Sequence, residues 1–233
     1  MRTSISHTKK LAALLKRIKR RSRTEVPDPP DPVTQLVIGF LQWNSTRRAA
    51  EAAHNRLMDA LVDNNDLRVS HSSELVSLIG DNYPQAEERA ARIREALNEI
   101  FLREHAVSFD SLVGRPKKEV RAYLEGLPGT PPYIAAQVTL LCFGGHAIPV
   151  DDKLAELLAD EQVVSERSTP ARVAAFLERH IKASDAVAAH LALQAWADSS
   201  RRRIQAVGGP AHQRSVAADT TTRTTKKTVK KKK

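Results

Sequence analysis

The sequence predicts an all-α protein. Aromatic residues make up only 4% of a chain that is 41% apolar, Ala and Leu are abundant among the apolar residues, and no segment alternates apolar and polar residues long enough for a half-buried strand. At 233 residues the chain has the apolar content for a real core, arranged as one large domain or two small ones.

The elements follow in order. Between Thr8 and Arg21 the apolar residues Leu11, Leu14, Leu15 and Ile18 recur at helical spacing among basic positions, giving an amphipathic basic helix. The segment VPDPPDP (Val26 to Pro32) breaks the chain, with Asp31 placed to cap a helix whose first position is Pro32. That helix, Val33 to about Trp43, is largely apolar and is expected to be buried. Thr46 caps a further helix to about Val62, and Ser72 or Ser73 caps a short one ending at Gly80. Pro84 opens a long helix with Ala90, Ile93, Ala96, Leu97 and Ile100 on one face. Another starts around Arg115-Pro116 and runs to Glu125.

Gly126-Leu127-Pro128-Gly129 cannot continue a helix, whereas Pro131 and Pro132 can begin the next, because the first helical positions need no N–H donor. That helix ends by Gly144-Gly145. Asp151 caps one through Leu158, Thr169-Pro170 starts one to about Ile181, and Ser184 or Asp185 starts the last, to about Asp198. Roughly ten helices joined by short loops result, with no internal repeat of fixed period.

The net charge of +10 is unevenly spread. Of the 37 Lys and Arg, nine lie in Met1 to Thr24 without an acid, and eleven lie in Arg201 to Lys233 with only Asp219, leaving 17 bases against 26 acids between. An acidic body therefore carries two basic ends. The organisation is a basic N-terminal segment (1–24) with an amphipathic helix, a helical domain (25–200), and a Lys/Arg-rich tail (201–233) too polar and charged to fold. Such ends bind a polyanion through counterion release, without sequence preference and with steep salt dependence. Double-stranded DNA is the leading candidate partner, ahead of an anionic membrane surface. The chain is expected to act as a monomer.

The single cysteine, Cys142, lies in an apolar run and is read as core; it excludes an intrachain disulfide framework and a four-cysteine zinc or iron-sulfur site. The eight histidines form no HxxxH or HxxH pair, so no metal or other cofactor is expected. The basic N-terminus lacks the uncharged apolar core of a secretory signal, although its acid-free composition with three serines also fits an organelle transit peptide. Gln137, Thr139, His146 and Pro149 interrupt the longest apolar stretch, which therefore reads as a buried helix and not a membrane span.

A helix, an LPG hairpin, an apolar helix and an Asp about twenty residues later together resemble the helix-hairpin-helix (HhH-GPD) DNA glycosylase superfamily, in its endonuclease III-like group. The matching residues are Leu127, Pro128, Gly129, Ala135, Phe143, Gly144, Val150 and Asp151, with the hairpin-to-Asp spacing kept. Asp31 to Thr46 is similar to the family's early buried helix and following polar loop, and "LIGDNYPQAEERA" (Leu78 to Ala90) to its I-G-x-x-x-x-K-A segment. The resemblance covers about residues 8 to 198. It implies a two-lobed all-α fold with a cleft between lobes, one lobe containing about 33–135. It also implies a hairpin (126–132) holding a DNA phosphate, and a target base flipped into the cleft while the Asp assists rupture of its glycosidic bond.

By that resemblance Asp151 is the catalytic carboxylate, stabilising positive charge on the sugar and orienting or deprotonating a water. Read from the residues alone, Asp151 is a helix N-cap, and the two roles are compatible. Tyr133 occupies the position of the family's lyase lysine; a phenol cannot form the imine, so monofunctional hydrolysis without β-lyase chemistry is expected. Tyr133 is read as a pocket wall or a core aromatic, and Asn44 falls near the family's residue that fills the gap left by the flipped base. Leu127, Pro128, Gly129 and Thr130 form the DNA-binding hairpin, with Arg115, Lys117 and Lys118 just before its helix and Arg201, Arg202 and Arg203 in place of the family's cluster-bearing segment.

Pro131 and Pro132 depart from the hairpin pattern, since neither offers an N–H to a phosphate. Base excision from DNA is the first functional reading, and a catalytically degenerate DNA-binding or nucleoid-associated protein of the same fold is the alternative. Either places the chain at the nucleoid in the cytoplasm, or in the nucleus or an organelle of a eukaryote.

Overall fold

The computed structural model describes residues 2–21 and 27–200, and all regular structure among them is helical: eleven α-helices and two 3₁₀ turns. The expectations for the 201–233 tail, including Arg201, Arg202 and Arg203, and for Val26 lie outside the described residues.

Seven consecutive helices build the first lobe: α2 (Pro32–Gln42), α3 (Arg47–Ala60), α4 (Asn64–Val69), α5 (Ser72–Ile79), α6 (Ala86–Glu104), α7 (Lys117–Glu125) and α8 (Pro132–Leu141). Their starts follow the capping chemistry of the sequence. Asp31 accepts from the Thr34 N–H at 2.7 Å ahead of Pro32, and the Thr46 hydroxyl accepts from the Ala49 N–H at 3.2 Å. Leu36, Phe40, Leu57, Ile93, Leu97 and Ile134 are at most 1% exposed at the centre of this lobe.

The second lobe joins the two ends of the described chain: α1 (Arg2–Arg21) packs with α9 (Asp152–Asp160), α10 (Pro170–His180) and α11 (Ala186–Ser199). α1 buries Leu11, Leu14 and Ile18 and leaves Lys9, Lys16, Lys19 and Arg20 exposed. Lys10 and Arg17 fasten it to the end of α9 through Gln162 (2.7 Å) and Glu161 (2.6 Å). Apolar burial along one stripe supplies the attachment, because such exposed polar contacts contribute little.

α8 belongs to both lobes. Ile134, Ala135 and Val138 face the first core, and Ala136 and Leu140 face the second, which is why this helix is apolar all round. The boundary expected near residue 135 is therefore a division between helix faces, and the first core extends to Phe143. Gly39 lets α2 press against α8: a β-carbon there would stand 3.0 Å from both Ile134 Cγ2 and Gln137 Oε1.

Several boundaries differ from the sequence reading. α1 begins at Arg2 and not Thr8. α4 went unpredicted; only Leu67 is buried in its six residues, too few to show a period, although the Asp63 carboxylate caps the Asn65 and Asp66 N–H groups. α6 begins at Ala86 and not beside Pro84, because Gln85 turns left-handed (φ 56°) and its own cap bond is absent. Ser72 is the first residue of α5, after His71. Cys142 is half-buried against the first core, and burial pushes its thiol up to about 12.

Candidate active site

The loop after α2 is the first component. Its Asn44 is left-handed (φ 53°), a conformation that Asn tolerates better than most residues. Arg89, 2% exposed, holds the loop: its guanidinium donates to the carbonyls of Phe40, Leu41 (3.1 Å), Trp43 (2.7 Å) and Pro84 (2.7 Å). The carbonyls of Phe40, Leu41 and Trp43 gather at the C-terminal end of α2, where helix acceptors lack partners and the dipole favours a cation, so the buried charge is satisfied without a carboxylate. The Tyr83 hydroxyl adds a bond to Leu41 O at 2.7 Å.

Asp151 is the second component. It caps α9, its Oδ1 accepting from the Leu154 N–H at 2.8 Å, while its Oδ2 accepts from the Asn44 N–H at 3.3 Å across the lobes. The side-chain amide of Asn44 donates to Asp152 Oδ2 at 3.1 Å, so one loop residue bridges both carboxylates, although adjacent residues point in different directions. Asp151 is 6% exposed, and burial raises its carboxyl to about 6 against the opposing pull of the two N–H donors. Asp152 adds to the rise and Lys153 opposes it. The group is thus a mostly ionised carboxylate at neutral pH, held at a helix N-terminus, with a proton affinity suited to a general base.

Tyr133 is the third. It is buried, and its hydroxyl lies 3.3 Å from Gln194 Oε1 and 3.5 Å from Gln137 Nε2. Burial, then the charges of Asp151 and Asp198, hold the phenol well above its ordinary value, so it stays protonated. Gln137 also donates to Gln42 Oε1 at 2.9 Å, so Gln42, Gln137, Tyr133 and Gln194 form a chain from α2 through α8 to α11. These amides line a cavity of about 390 Å³ between the lobes, together with His190. Burial lowers His190 to about 4, so its imidazole is neutral. Asp198 closes the arrangement by accepting from Gln194 Nε2 (3.0 Å) and the Arg47 N–H (3.1 Å).

Asp151 and Tyr133 do not themselves line the cavity. Tyr133 is one hydrogen bond from two side chains that do, Gln194 and Gln137, and the Asp151 charge adds to the rise of its phenol. Sequence reasoning named Asp151, Asn44 and Tyr133; the structure joins Asn44 to Asp151 by a hydrogen bond and buries Tyr133 against Gln137 and Gln194. Sequence reasoning missed Arg89, Gln42, Gln194 and His190; the available signal was a polar residue interrupting each of three otherwise apolar helix faces.

The hairpin between α7 and α8 is the fourth component. Leu127 is buried, Pro128 and Gly129 are exposed, and Thr130 is half-buried with its N–H donated to Leu127 O at 3.2 Å. Arg115, Lys117 and Lys118 are exposed at the start of α7, and Arg115 donates to Ser111 O at 2.6 Å. A four-cysteine cluster does not fit this chain, whose one thiol is half-buried among apolar side chains. Among the described residues no group of three His, Cys, Asp or Glu side chains is placed to hold a metal ion.

No family model matches the sequence, and no curated protein matches it. Solved structures do. The chain is similar to a trapped endonuclease III–DNA covalent intermediate in an estranged-adenine complex (TM-score 0.63, 17% identity, 80% of this chain and 84% of that one). It is similar also to a thermostable thymine-DNA glycosylase (TM-score 0.62, 16% identity, 86% and 90%) and to MBOgg1 in complex with a low-affinity DNA ligand (TM-score 0.63, 16% identity, 84% and 69%). At these identities the likeness shows the fold: the two-lobed, all-α architecture of the HhH-GPD glycosylases.

Proposed function

We propose that this chain is a DNA glycosylase that hydrolyses the N-glycosidic bond of a flipped base, monofunctionally, with Asp151 as its carboxylate. The observation that carries the reading is the setting of Asp151: buried, fixed by N–H donors from both lobes, and raised to about 6 by that burial. As the base departs, positive charge develops on the sugar. A fixed carboxylate in a water-poor site stabilises that charge and accepts a proton from the attacking water. Tyr133, a protonated phenol, offers no amine for an imine, so strand cleavage is not part of the reaction. The structures that share this fold include proteins described as DNA glycosylases and complexes with DNA, which supports nucleic acid as the partner.

The position of Asp151 outside the cavity lining favours a second reading, a DNA-binding protein that keeps the fold without the chemistry. One assay separates the two. Duplexes carrying uracil, T·G, A·8-oxoguanine, alkylated or oxidised bases are incubated with the full chain and then treated with alkali. Alkali-labile sites on at least one duplex, with no borohydride-trapped adduct, support the glycosylase; no site on any duplex supports the binding protein, and a robust adduct refutes monofunctional hydrolysis.

A further inference from the structure

We propose that Arg92 holds a backbone phosphate of bound DNA at the hairpin, in place of the amide donors that Pro131 and Pro132 lack; this rests on the DNA-binding reading above. The hairpin poses a problem of hydrogen-bond inventory. The Thr130 N–H is already donated to Leu127 O, and the two prolines have none, so of residues 129–132 only Gly129 has an N–H left for an anion. The carbonyl oxygens that remain would repel one.

α6 meets this problem with two guanidiniums. Arg92 Nη1 donates to Gly129 O at 2.9 Å, and Arg103 Nη2 donates to Gly126 O at 2.9 Å, so two of the hairpin carbonyls are covered by cations. Gly129 is left-handed (φ 65°), and a β-carbon there would stand 3.1 Å from Arg92 Cγ, which fixes how closely the arginine stem runs beneath the turn. The Arg92 guanidinium also lies 5.2 Å from the centre of the Trp43 ring, next to Asn44. Arg92 follows Arg89 by three residues on one face of α6, so the helix that pins the Asn44 loop through one arginine pins the hairpin through the next.

Arg92 retains capacity for a ligand. A guanidinium carries five N–H donors; Gly129 O takes one, and Glu88 Oε1 takes another at 2.5 Å. Its side chain is 28% exposed and that of Glu88 44% exposed, and an exposed pair of this kind is weak. A phosphate, which matches the planar fork and is the stronger partner, displaces Glu88 while the Gly129 bond keeps the guanidinium in place.

The test is equilibrium binding of the full chain to an undamaged 25-base-pair duplex across a salt series, with Arg92→Ala, Arg92→Lys, Glu88→Gln and the Glu88→Gln/Arg92→Ala double variant. Arg92→Ala is expected to weaken binding by about fivefold or more and to reduce the slope of log K on log salt by about 0.9, the value of one phosphate contact. Arg92→Lys keeps the slope and loses only part of the affinity. Glu88→Gln, which leaves the hairpin contact intact, tightens binding about twofold, an effect absent in the double variant, since a neutral amide competes less for the guanidinium. An unchanged slope in a folded Arg92→Ala chain, or a Glu88→Gln chain that binds no tighter, overturns the inference alone. A wild-type chain that binds no duplex overturns the DNA reading and this inference together.

Discussion

The backbone N–H of Asn44 donates to Asp151 Oδ2 at 3.3 Å, joining residues 107 apart in sequence and on different lobes. The Asn44 side chain adds the bond to Asp152, and Arg89 fixes the loop from behind through Trp43 O. The carboxylate is therefore held in one orientation by the fold itself, which is the arrangement the proposed electrostatic role requires.

Asn44→Gly and Asn44→Ala separate the two bonds. Both keep the N–H to Asp151 and lose the amide to Asp152, but only Gly accepts φ 53° freely. Asn44→Gly is expected to leave thermal stability within about 1 kcal/mol of wild type, with Asn44→Ala lower by a further ~1 kcal/mol. Denaturant melts of the two variants measure this. Equal stability would place Asn44 in another backbone conformation.

The raised carboxyl of Asp151 makes a signed stability prediction. Unfolded, the group titrates near its ordinary value of about 3.9; folded, at about 6, so the folded state binds more protons between those values. The cost of its ionisation is absent below about pH 4, grows as pH rises to about 6, and stays constant above. Asp151→Asn can still cap α9 and removes that cost. The stability of Asp151→Asn relative to wild type should accordingly rise between pH 4 and pH 7 by on the order of 2 kcal/mol. Asp198 shifts the same way but is present in both proteins. A pH-independent difference would mean that Asp151 is not desolvated.

Arg89 is expected to be the most sensitive polar position of the first lobe. Arg89→Met takes the guanidinium from the carbonyls of Phe40, Trp43 and Pro84 and leaves Leu41 O only its bond from the Tyr83 hydroxyl. A loss of roughly 3–5 kcal/mol follows, because removing one partner strands the others. Urea unfolding checks the magnitude; a loss below 1 kcal/mol would show that the carbonyls find other donors.

Most of the fold was legible because its helices are long and carry their own caps: Asp31, Thr46, Asp151 and Thr169 mark starts that the structure reproduces within one residue. α4 was not, since six residues with one buried side chain show no periodicity. Asp151 was named from the spacing of the hairpin to the Asp, and Tyr133 and Asn44 from their positions in the family resemblance. The amides of Gln42, Gln137 and Gln194 meet only by tertiary packing across three helices, and no local pattern announces that meeting. Arg89 interrupts an apolar helix face, but its partners, up to 49 residues away, are set by packing alone.

The tail carries eleven Lys and Arg beside an acidic body. Deleting residues 201–233 should weaken duplex binding and flatten its salt dependence, since counterion release scales with the phosphates neutralised. Anisotropy titrations at several salt concentrations measure both. Unchanged binding would assign the affinity to the 1–200 body.

The most direct measurement is the single-turnover rate of base release from a responsive lesion duplex, by wild type and Asp151→Asn, with duplex affinity measured alongside. The wild-type rate should fall as pH drops through about 6, and Asp151→Asn should lose about 100-fold or more at pH 7.5 with affinity unchanged or higher. An Asp151→Asn chain that releases the base at the wild-type rate would contradict the central role assigned to Asp151.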